Sequence, residues 1–433
     1  MRQQLFKISK KTAYHLSVWL AAALSAVLAV GYSKLTSYVQ HFYSTISTDH
    51  FHLALALTAP AFMLSVFVVE RFAPDAKGSG IPQVIKEIEK SKTDAKAGGL
   101  WSSPLVSLKT AFIKVISSCI ALCGGASIGR EGPTVQITAS TFAWFGGRSQ
   151  RFFPHIDVQS YLTAGAAAGV AAAFNTPLAG IAFALEEISG GVFTHFKNIT
   201  IIAVVVAGIT AQAIIGDYLY FPHLNVNEPK LVVIPEALLI ALIGGVLGGG
   251  FARLMVSFKF PAVLNKGWRK AAVCGLVCAL VAFISRGETA GSGYEITRKA
   301  LEPASINDMS LLFPLLKMVA TLFSYLSGMA GGIFSPSLSI GGSIGLVTAQ
   351  LFHFVNFKTC SLIGMVAFFS GAIQAPLTAV IIVMEMSDER SLILIFMMTA
   401  YLAQAVGRRI MPVPLYKQLA LQYRSGGSNQ AAN

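Results

Sequence analysis

The chain has 433 residues, 54% of them hydrophobic and 12% charged, with a mean hydropathy of +0.63. Soluble domains carry about 25% charged residues, so the composition argues against a soluble protein and for a polytopic helical membrane protein. The formal net charge of +13 fits Lys/Arg-rich cytoplasmic loops. It does not indicate nucleic acid, because no basic, aromatic-interleaved soluble stretch accompanies it.

Arg2, Lys7, Lys10 and Lys11 precede an apolar run from about Ala13 to Val30. A basic start before an apolar run resembles a signal peptide. Here the run is long and further spans follow, so it reads as a first membrane helix with a cytoplasmic N-terminus. Phe51 to Val69 is a second apolar segment. Lys77-Gly78-Ser79-Gly80-Ile81-Pro82 follows, and Pro82 suits a helix start. The Ser79 hydroxyl can donate to an anion or cap that helix. The helix expected over Gln83 to Lys92 is too polar to span.

Pro104 to Cys123 is apolar apart from Lys109 and Lys114, and it leads into Gly129-Arg130-Glu131-Gly132-Pro133. A charge at a bilayer centre costs about 2.5–3.5 kcal/mol on insertion scales, and such residues mark cavities and ion pathways. Glycines permit close approach of a ligand, and Pro133 fits a first helical turn. The stretch therefore reads as a broken helix whose N-terminus starts inside the membrane, where free N–H groups bind anions. Glu131 is then an internal anion competing with a dissolved one. A tight surface turn with two solvated charges is the plainer alternative.

Tyr161 to Leu185 is Ala- and Gly-rich, which permits close helix packing. It is interrupted at Asn175-Thr176-Pro177 and ends in Glu186-Glu187. Ile201 to Ile215 is apolar, 217–230 reads as a connection, and Val232 to Val256 and Ala271 to Ile284 are further spans. The last span is Ser391 to Val406, and Arg408 and Arg409 after it place the C-terminus in the cytoplasm. Tyr416 near an interface is by composition a membrane anchor.

The halves repeat. Gly291-Ser292-Gly293 echoes Gly78-Ser79-Gly80 at an offset of 213 (291 − 78). Gly332-Ile333-Phe334-Ser335-Pro336 echoes the central stretch at 203 (332 − 129), and Lys317 echoes Lys114 at the same offset (317 − 114). Gln374-Ala375-Pro376-Leu377 echoes Asn175-Thr176-Pro177-Leu178 at 199 (376 − 177), and Glu385 echoes Glu186 (385 − 186). Repeated halves interrupted at corresponding places point to a transporter whose half-helix ends meet near the midplane. Phe334 stands where Glu131 stands, so one half keeps the charged gate and the other offers an apolar wall. Lys114 and Lys317 either favour an anion or snorkel to the interface.

Other chemistry is thinly supported. Cys119, Cys123, Cys274, Cys278 and Cys360 lack further ligands nearby and read as small buried hydrophobes. The eight histidines form no H-E-x-x-H or paired-ligand spacing. No nucleophile with a base marks an intramembrane enzyme. No cofactor is expected.

Taken together, Gly78-Ser79-Gly80-Ile81-Pro82, Gly129-Arg130-Glu131-Gly132-Pro133, Gly332-Ile333-Phe334-Ser335-Pro336 and Pro414-Leu415-Tyr416 resemble the CLC family of chloride channels and chloride–proton antiporters. These motifs span residues 78–416. The resemblance implies an all-α polytopic membrane protein of two inverted-topology repeats of tilted and broken helices. The organisation it suggests is 1–12 as a cytoplasmic segment, 13–217 and 218–410 as the repeats, and 411–433 as a C-terminal segment carrying Tyr416. The cytoplasmic nucleotide-binding pair of many eukaryotic members is not expected, as in a short prokaryote-like member.

The resemblance further implies an anion site of Ser79, Gly80, Ile81, Arg130, Glu131, Gly132, Ile333, Phe334 and Tyr416. Ser79 and Tyr416 would give hydroxyls, and N–H groups around Glu131–Gly132 and Ile333–Phe334 further donors. Glu131 matches the family's gating glutamate. Glu187 matches the inner proton-transfer glutamate, with Glu186 beside it as a competitor for that role. A serine at position 79 accompanies chloride preference. The expected function is a proton-coupled chloride antiporter, with a passive voltage- or pH-gated channel of the same fold as the alternative. Its partners are chloride, protons, the lipid bilayer and a second copy in a homodimer, in a bacterial inner membrane.

Overall fold

The structure, a computed structural model, describes residues 2–93, 103–150, 157–188, 198–216, 220–221, 232–301 and 309–423. The first half comprises α1 (Arg2–Asp49), α2 (Phe51–Phe72), α3 (Ile81–Thr93), α4 (Leu108–Cys123), α5 (Glu131–Ser149), α6 (Val158–Phe174), α7 (Pro177–Phe183) and α8 (Asn198–Ile215). The second comprises α9 (Ile234–Ser257), α10 (Gly267–Ile284), α11 (Tyr294–Ala300), α12 (Phe313–Ser327), α13 (Phe334–Phe352), α14 (Phe357–Ile373), α15 (Pro376–Ser387) and α16 (Ile393–Ile410), with α17 (Leu415–Ala420) after it. Among the described residues, six helices (α1, α2, α8, α9, α10 and α16) are long and apolar enough to cross a membrane. The others are shorter or interrupted.

Helix starts and stops follow local chemistry. Asn175 ends α6 with φ +57°, and Pro177 opens α7. Gln374 ends α14 with φ +67°, and Pro376 opens α15. A left-handed residue terminates a helix, and a proline at the first position starts the next at no hydrogen-bond cost. The same break recurs at the same place in each half.

Packing repeats likewise. In the first half α1 packs on α8, α2 on α4, α5 on α6, and α6 on α8. In the second, α9 packs on α16, α10 on α12, α13 on α14, and α14 on α16. Counterparts also meet each other: α2 packs on α10, α5 on α13 and α7 on α15. Contact between equivalent elements is what a two-fold axis between repeats requires. On that axis Gly129 and Gly332 form an antiparallel bridge. The Gly129 N–H donates to the Gly332 carbonyl at 2.7 Å, and the Gly332 N–H to the Gly129 carbonyl at 2.8 Å. The equivalent segments run in opposite directions where they meet, as inverted repeats must.

One expectation is corrected. The hydropathy pattern ends the first helix near Val30, but α1 continues to Asp49. Its second half carries Ser33, Ser37, Gln40, His41, Ser44 and Thr48, which line an open vestibule. A hydropathy reading stops where this polar stripe begins, whereas the helix continues because the stripe faces water rather than lipid. The connection expected over 217–230 lies outside the described residues except for Tyr220 and Phe221, and so does the tail after Tyr423.

Glycines let α13 and α14 touch backbone to backbone. A β-carbon at Gly364 would lie 2.6 Å from the Gly345 nitrogen, and one at Gly345 would overlap the Cys360 carbonyl. Such small-residue contacts supply packing where lipid gives no hydrophobic drive. Gly345→Val is expected to destabilise the protein by about 1–3 kcal/mol or more through overpacking. A β-carbon at Gly250 would meet nothing within 4 Å, so Gly250→Ala is expected to be silent. Thermal midpoints in detergent check both, and a midpoint for Gly345→Val equal to that of Gly250→Ala would refute the close-packing account.

Candidate ion pathway

Three helix N-termini converge at the bridge between the repeats. Helix α5 begins at Glu131 and α13 at Phe334, each shortly after its bridging glycine. Helix α3 begins at Ile81, after Gly78 (φ +68°) and Gly80 (φ +107°). Only glycine adopts these angles at low cost. The Gly78 N–H donates to the Met329 carbonyl at 2.7 Å, and the Gly78 carbonyl accepts from Gly331 at 3.1 Å. A β-carbon at Gly132 would overlap the Ser79 Oγ, and one at Gly80 would lie 2.7 Å from the Gly132 carbonyl. The start of α5 is thus packed closely against the starts of both α3 and α13.

The buried polar atoms at this junction make no hydrogen bond, and Glu131 has only a long ion pair with Arg130. Ser79 and Tyr416 are 0% exposed and Glu131 is 1% exposed. The Ser79 Oγ, the Tyr416 Oη and both carboxylate oxygens of Glu131 make no hydrogen bond. A buried group left unpaired costs about 1–3 kcal/mol, more if charged. Four such atoms at convergent helix starts form a site that suits an exchangeable partner. The Tyr416 hydroxyl lies directly beside that of Ser79, and Glu187, Tyr325 and Glu131 lie within electrostatic range of it. Phe334 closes one side, with its ring centroid 4.5 Å from that of Phe369 and 5.3 Å from that of Phe174. The apolar wall expected from the second half is therefore part of an aromatic cluster.

Not every expected donor is free. The Gly80 N–H donates to the Gln83 Oε1 at 3.1 Å. Gln83 also donates to the carbonyls of Lys77 at 2.6 Å and Asp75 at 3.1 Å, which ties the Gly78–Gly80 loop to α3. The sequence carried a signal for this residue: Gln83 is three positions after the capping residue Gly80, the spacing of a capping box. Arg130 is half-buried and turns away from the junction. Its Nη1 donates to the Ser33 carbonyl at 3.2 Å and the Ser37 Oγ at 2.9 Å on α1. Its Nε is 3.9 Å from the Glu131 Oε1. The guanidinium lines the vestibule beside α1, of about 790 Å³, together with Lys34, Tyr220, Tyr294 and Lys299. Tyr220 falls in the stretch that the sequence marks only as a connection. No local signal distinguishes it, since its place under the Arg130 guanidinium, 6.0 Å from the ring centroid, is tertiary.

Lys114 and Lys317 do not snorkel. Both are 0% exposed. The Lys114 Nζ donates to the Gly78 carbonyl at 2.8 Å. The Lys317 Nζ donates to the carbonyls of Thr289 and Gly291, each at 2.8 Å. Each lysine thus braces the glycine loop of its own repeat, and neither ammonium bonds to the junction's hydroxyls.

The two adjacent acids differ sharply. Glu186 accepts from the N–H groups of Leu377 at 3.1 Å and Thr378 at 2.8 Å, and from the Thr378 hydroxyl at 2.9 Å. Its repeat partner Glu385 accepts from the N–H groups of Leu178 at 3.1 Å and Ala179 at 2.7 Å. Each carboxylate caps the N-terminus of the opposite repeat's half-helix, where a helix dipole favours an anion. Glu187 sits on a π-helical turn, Ala184–Ile188, that continues α7. Such turns re-aim side chains and often mark functional sites. Glu187 is 3% exposed and its Oε1 has no partner. Among the described residues, no group of His, Cys, Asp and Glu could hold a metal ion.

The sequence and the fold are similar to those of known proteins. The family model described as "Voltage gated chloride channel" matches residues 61–408. The H(+)/Cl(-) exchange transporter ClcA of Yersinia pestis bv. Antiqua (strain Angola) is 31% identical over 394 residues, covering 85% of this chain and 77% of that protein. The protein of the same name from Salmonella paratyphi B is 29% identical over 456 residues, covering 96% and 91%. The crystal structure of a slow cyanobacterial Cl-/H+ antiporter is similar in fold, with a TM-score of 0.78 at 23% identity, over 94% of this chain and 97% of that one. That of a CLC-type fluoride/proton antiporter gives 0.76 at 22%, with the same coverage. The matched length, the inverted repeats and the convergent helix starts lead to one conclusion: this chain is a membrane-spanning member of the voltage-gated chloride channel (CLC) family.

Proposed function

We propose that the protein is a proton-coupled chloride antiporter in which Glu131 is both gate and proton acceptor. The observation that carries this reading is the buried Glu131 carboxylate, which makes no hydrogen bond at the start of α5, close to the adjacent Ser79 and Tyr416 hydroxyls. A small anion at the junction would accept hydrogen bonds from both hydroxyls. N–H groups at the starts of α5 and α13, around Glu131–Gly132 and Ile333–Phe334, would add positive potential. An ionised Glu131 competes for that potential. Arrival of chloride displaces the carboxylate, or a proton neutralises it and frees the site. A group that is alternately anion and acid couples the two movements. The exchange names carried by the bacterial relatives support the same reading.

Glu187 would pass protons to the inner solution. Its unpartnered oxygen leaves it able to titrate, whereas the Glu186 carboxylate is committed to three hydrogen bonds as a cap. This contrast favours coupling over a passive channel and Glu187 over Glu186. Arg130 would draw anions into the outer vestibule rather than bind them at the junction. The likeness to bacterial exchangers supports an inner-membrane location with both termini cytoplasmic, and repeats at 13–217 and 218–410. The face of α7, α8, α15 and α16 exposes Leu178, Val205, Ile209, Leu394 and Tyr401, and we assign the homodimer contact to it.

In liposomes under a chloride gradient, the wild-type protein is expected to drive protons uphill, and chloride flux with no proton movement would overturn antiport. Glu131→Gln and Glu187→Gln are each expected to keep chloride flux and lose proton transport. Retained proton pumping in either variant would remove that residue from the mechanism. Glu186→Gln is expected to keep proton coupling but to lose about 1–3 kcal/mol of stability, since charge-assisted hydrogen bonds at a helix start are weakened. Loss of coupling at unchanged thermal midpoint would reverse the assignment of the two acids. Tyr416→Phe is expected to weaken chloride binding about tenfold or more by calorimetry, the worth of one hydrogen bond to a charged group. Unaltered affinity would take the hydroxyl out of the site.

A further inference from the structure

A second serine–tyrosine pair stands at the junction. Ser335, the second residue of α13, is 5% exposed, and its Oγ makes no hydrogen bond. The other serines of α13 all donate to carbonyls: Ser337 to Ile333 at 2.7 Å, Ser339 to Gly293 at 3.3 Å and Ser343 to Ile340 at 2.8 Å. The Tyr220 hydroxyl lies beside that of Ser335, with Arg130 and Glu131 within electrostatic range. A β-carbon at Gly129 would overlap the Glu131 Oε2 and lie 3.3 Å from the Ser335 Cβ. The carboxylate and the serine side chain therefore pack over one glycine.

The repeat accounts for this second pair. Ser335 stands where Gly132 stands, at the offset of 203 (335 − 132). The place that a side chain at Gly132 would take is filled by the Ser79 Oγ. Tyr220 lies five residues after α8 ends at Ile215, and Tyr416 lies six residues after its counterpart α16 ends at Ile410. Ser79 with Tyr416, and Ser335 with Tyr220, thus occupy related places in the two halves. Glu131 is within range of both tyrosines, and Tyr220 lines the vestibule beside α1.

We propose that Ser335 and Tyr220 are positioning residues for the gate, whose hydroxyls hold the Glu131 carboxyl when it leaves the junction toward the vestibule. The proposal rests on the reading of Glu131 as a gate. A carboxylate that leaves the helix starts gives up their positive potential, and a buried one without donors is costly. A hydroxyl both donates and accepts, so the pair suits the carboxyl in its ionised and its protonated form. The Tyr220 ring is fixed, with its centroid 5.5 Å from that of Phe174 and 4.7 Å from that of Tyr294. The neighbouring Phe221 N–H donates to the Met386 carbonyl at 2.8 Å. Tyr32 also lies within range of Glu131, but its hydroxyl already donates to the Ser118 Oγ at 2.8 Å.

The test is the double variant Ser335→Ala with Tyr220→Phe, which removes both hydroxyls and keeps the ring packing. Chloride binding is measured by calorimetry with Glu131 present and in the Glu131→Ala background. Without the hydroxyls the carboxylate spends more time in the junction, and apparent affinity falls with the fraction of open sites. The double variant is expected to weaken binding about tenfold with Glu131 present, the worth of a hydrogen bond to a charged group. In the Glu131→Ala background it is expected to change nothing. Unaltered affinity with Glu131 present would overturn the proposal. Equal weakening in both backgrounds would also overturn it, because the hydroxyls would then serve the anion or the fold rather than the gate. The gate reading fails separately if Glu131→Ala by itself leaves chloride binding at the wild-type value. Infrared spectra in acid then decide the pair, through the carboxyl stretch that Glu131→Gln abolishes. A shift of that band to higher frequency in the double variant supports the contact, since hydrogen bonds to a carboxyl carbonyl lower its frequency, and an unshifted band overturns it.

Discussion

Two reciprocal hydrogen bonds between Gly129 and Gly332 hold the centre of this protein together. They pair identical positions of the two repeats, so the first residues of α5 and α13 start from one point. Backbone polar groups inside a bilayer must find partners within the protein. The bridge satisfies the glycines' own N–H and carbonyl groups and leaves the first turns beyond them facing inward. No residue with a side chain could replace Gly332 there, because a β-carbon would lie 2.9 Å from the Gly129 carbonyl and 3.0 Å from the Gly132 nitrogen. The remaining loops follow from this arrangement. Gly78 pairs with the segment just before Gly332, and Lys114 braces Gly78.

Six charged groups set into the fold form two sets. Lys114, Lys317, Glu186 and Glu385 are hydrogen-bonded to backbone groups of loops or helix starts. They act as fixed braces, and the repeat symmetry relates each to its counterpart. Glu131 and Glu187 have buried oxygens with no hydrogen bond, and neither has an acidic counterpart in the second half, where Phe334 and Met386 stand. A carboxylate without a fixed partner can change its protonation or position at lower cost than one held by several donors. The asymmetry between the halves thus coincides with the groups that are free to respond. The fold is duplicated, and among the described residues the buried acid oxygens without a hydrogen bond are confined to one copy.

Much of the fold was legible along the chain. The proline starts at Pro177 and Pro376, the glycine runs, and the near-constant offsets between halves all act over a few residues, and their effect on the backbone is local. Hydropathy ends the first helix too early because it measures transfer into lipid, while the second half of α1 lines an open polar vestibule. The central glycine–acid stretch was legible as a broken helix for a similar reason: a charge between two apolar segments must face something other than lipid.

The sequence by itself determined the broken helices, their repetition, and which residues bear chemistry, because backbone angles and transfer energies are set by residue type and near neighbours. Only the tertiary structure decided what each polar group touches. It separated Glu186 from Glu187, adjacent in the chain yet opposite in bonding, because a π-helical turn and the start of α15 give one a full set of donors and leave the other with an unpartnered oxygen. It turned Arg130 toward α1, assigned the Gly80 N–H to Gln83, and brought Tyr416 beside Ser79 from 337 residues away (416 − 79). Such pairings depend on distances between segments far apart in sequence, which no local pattern encodes.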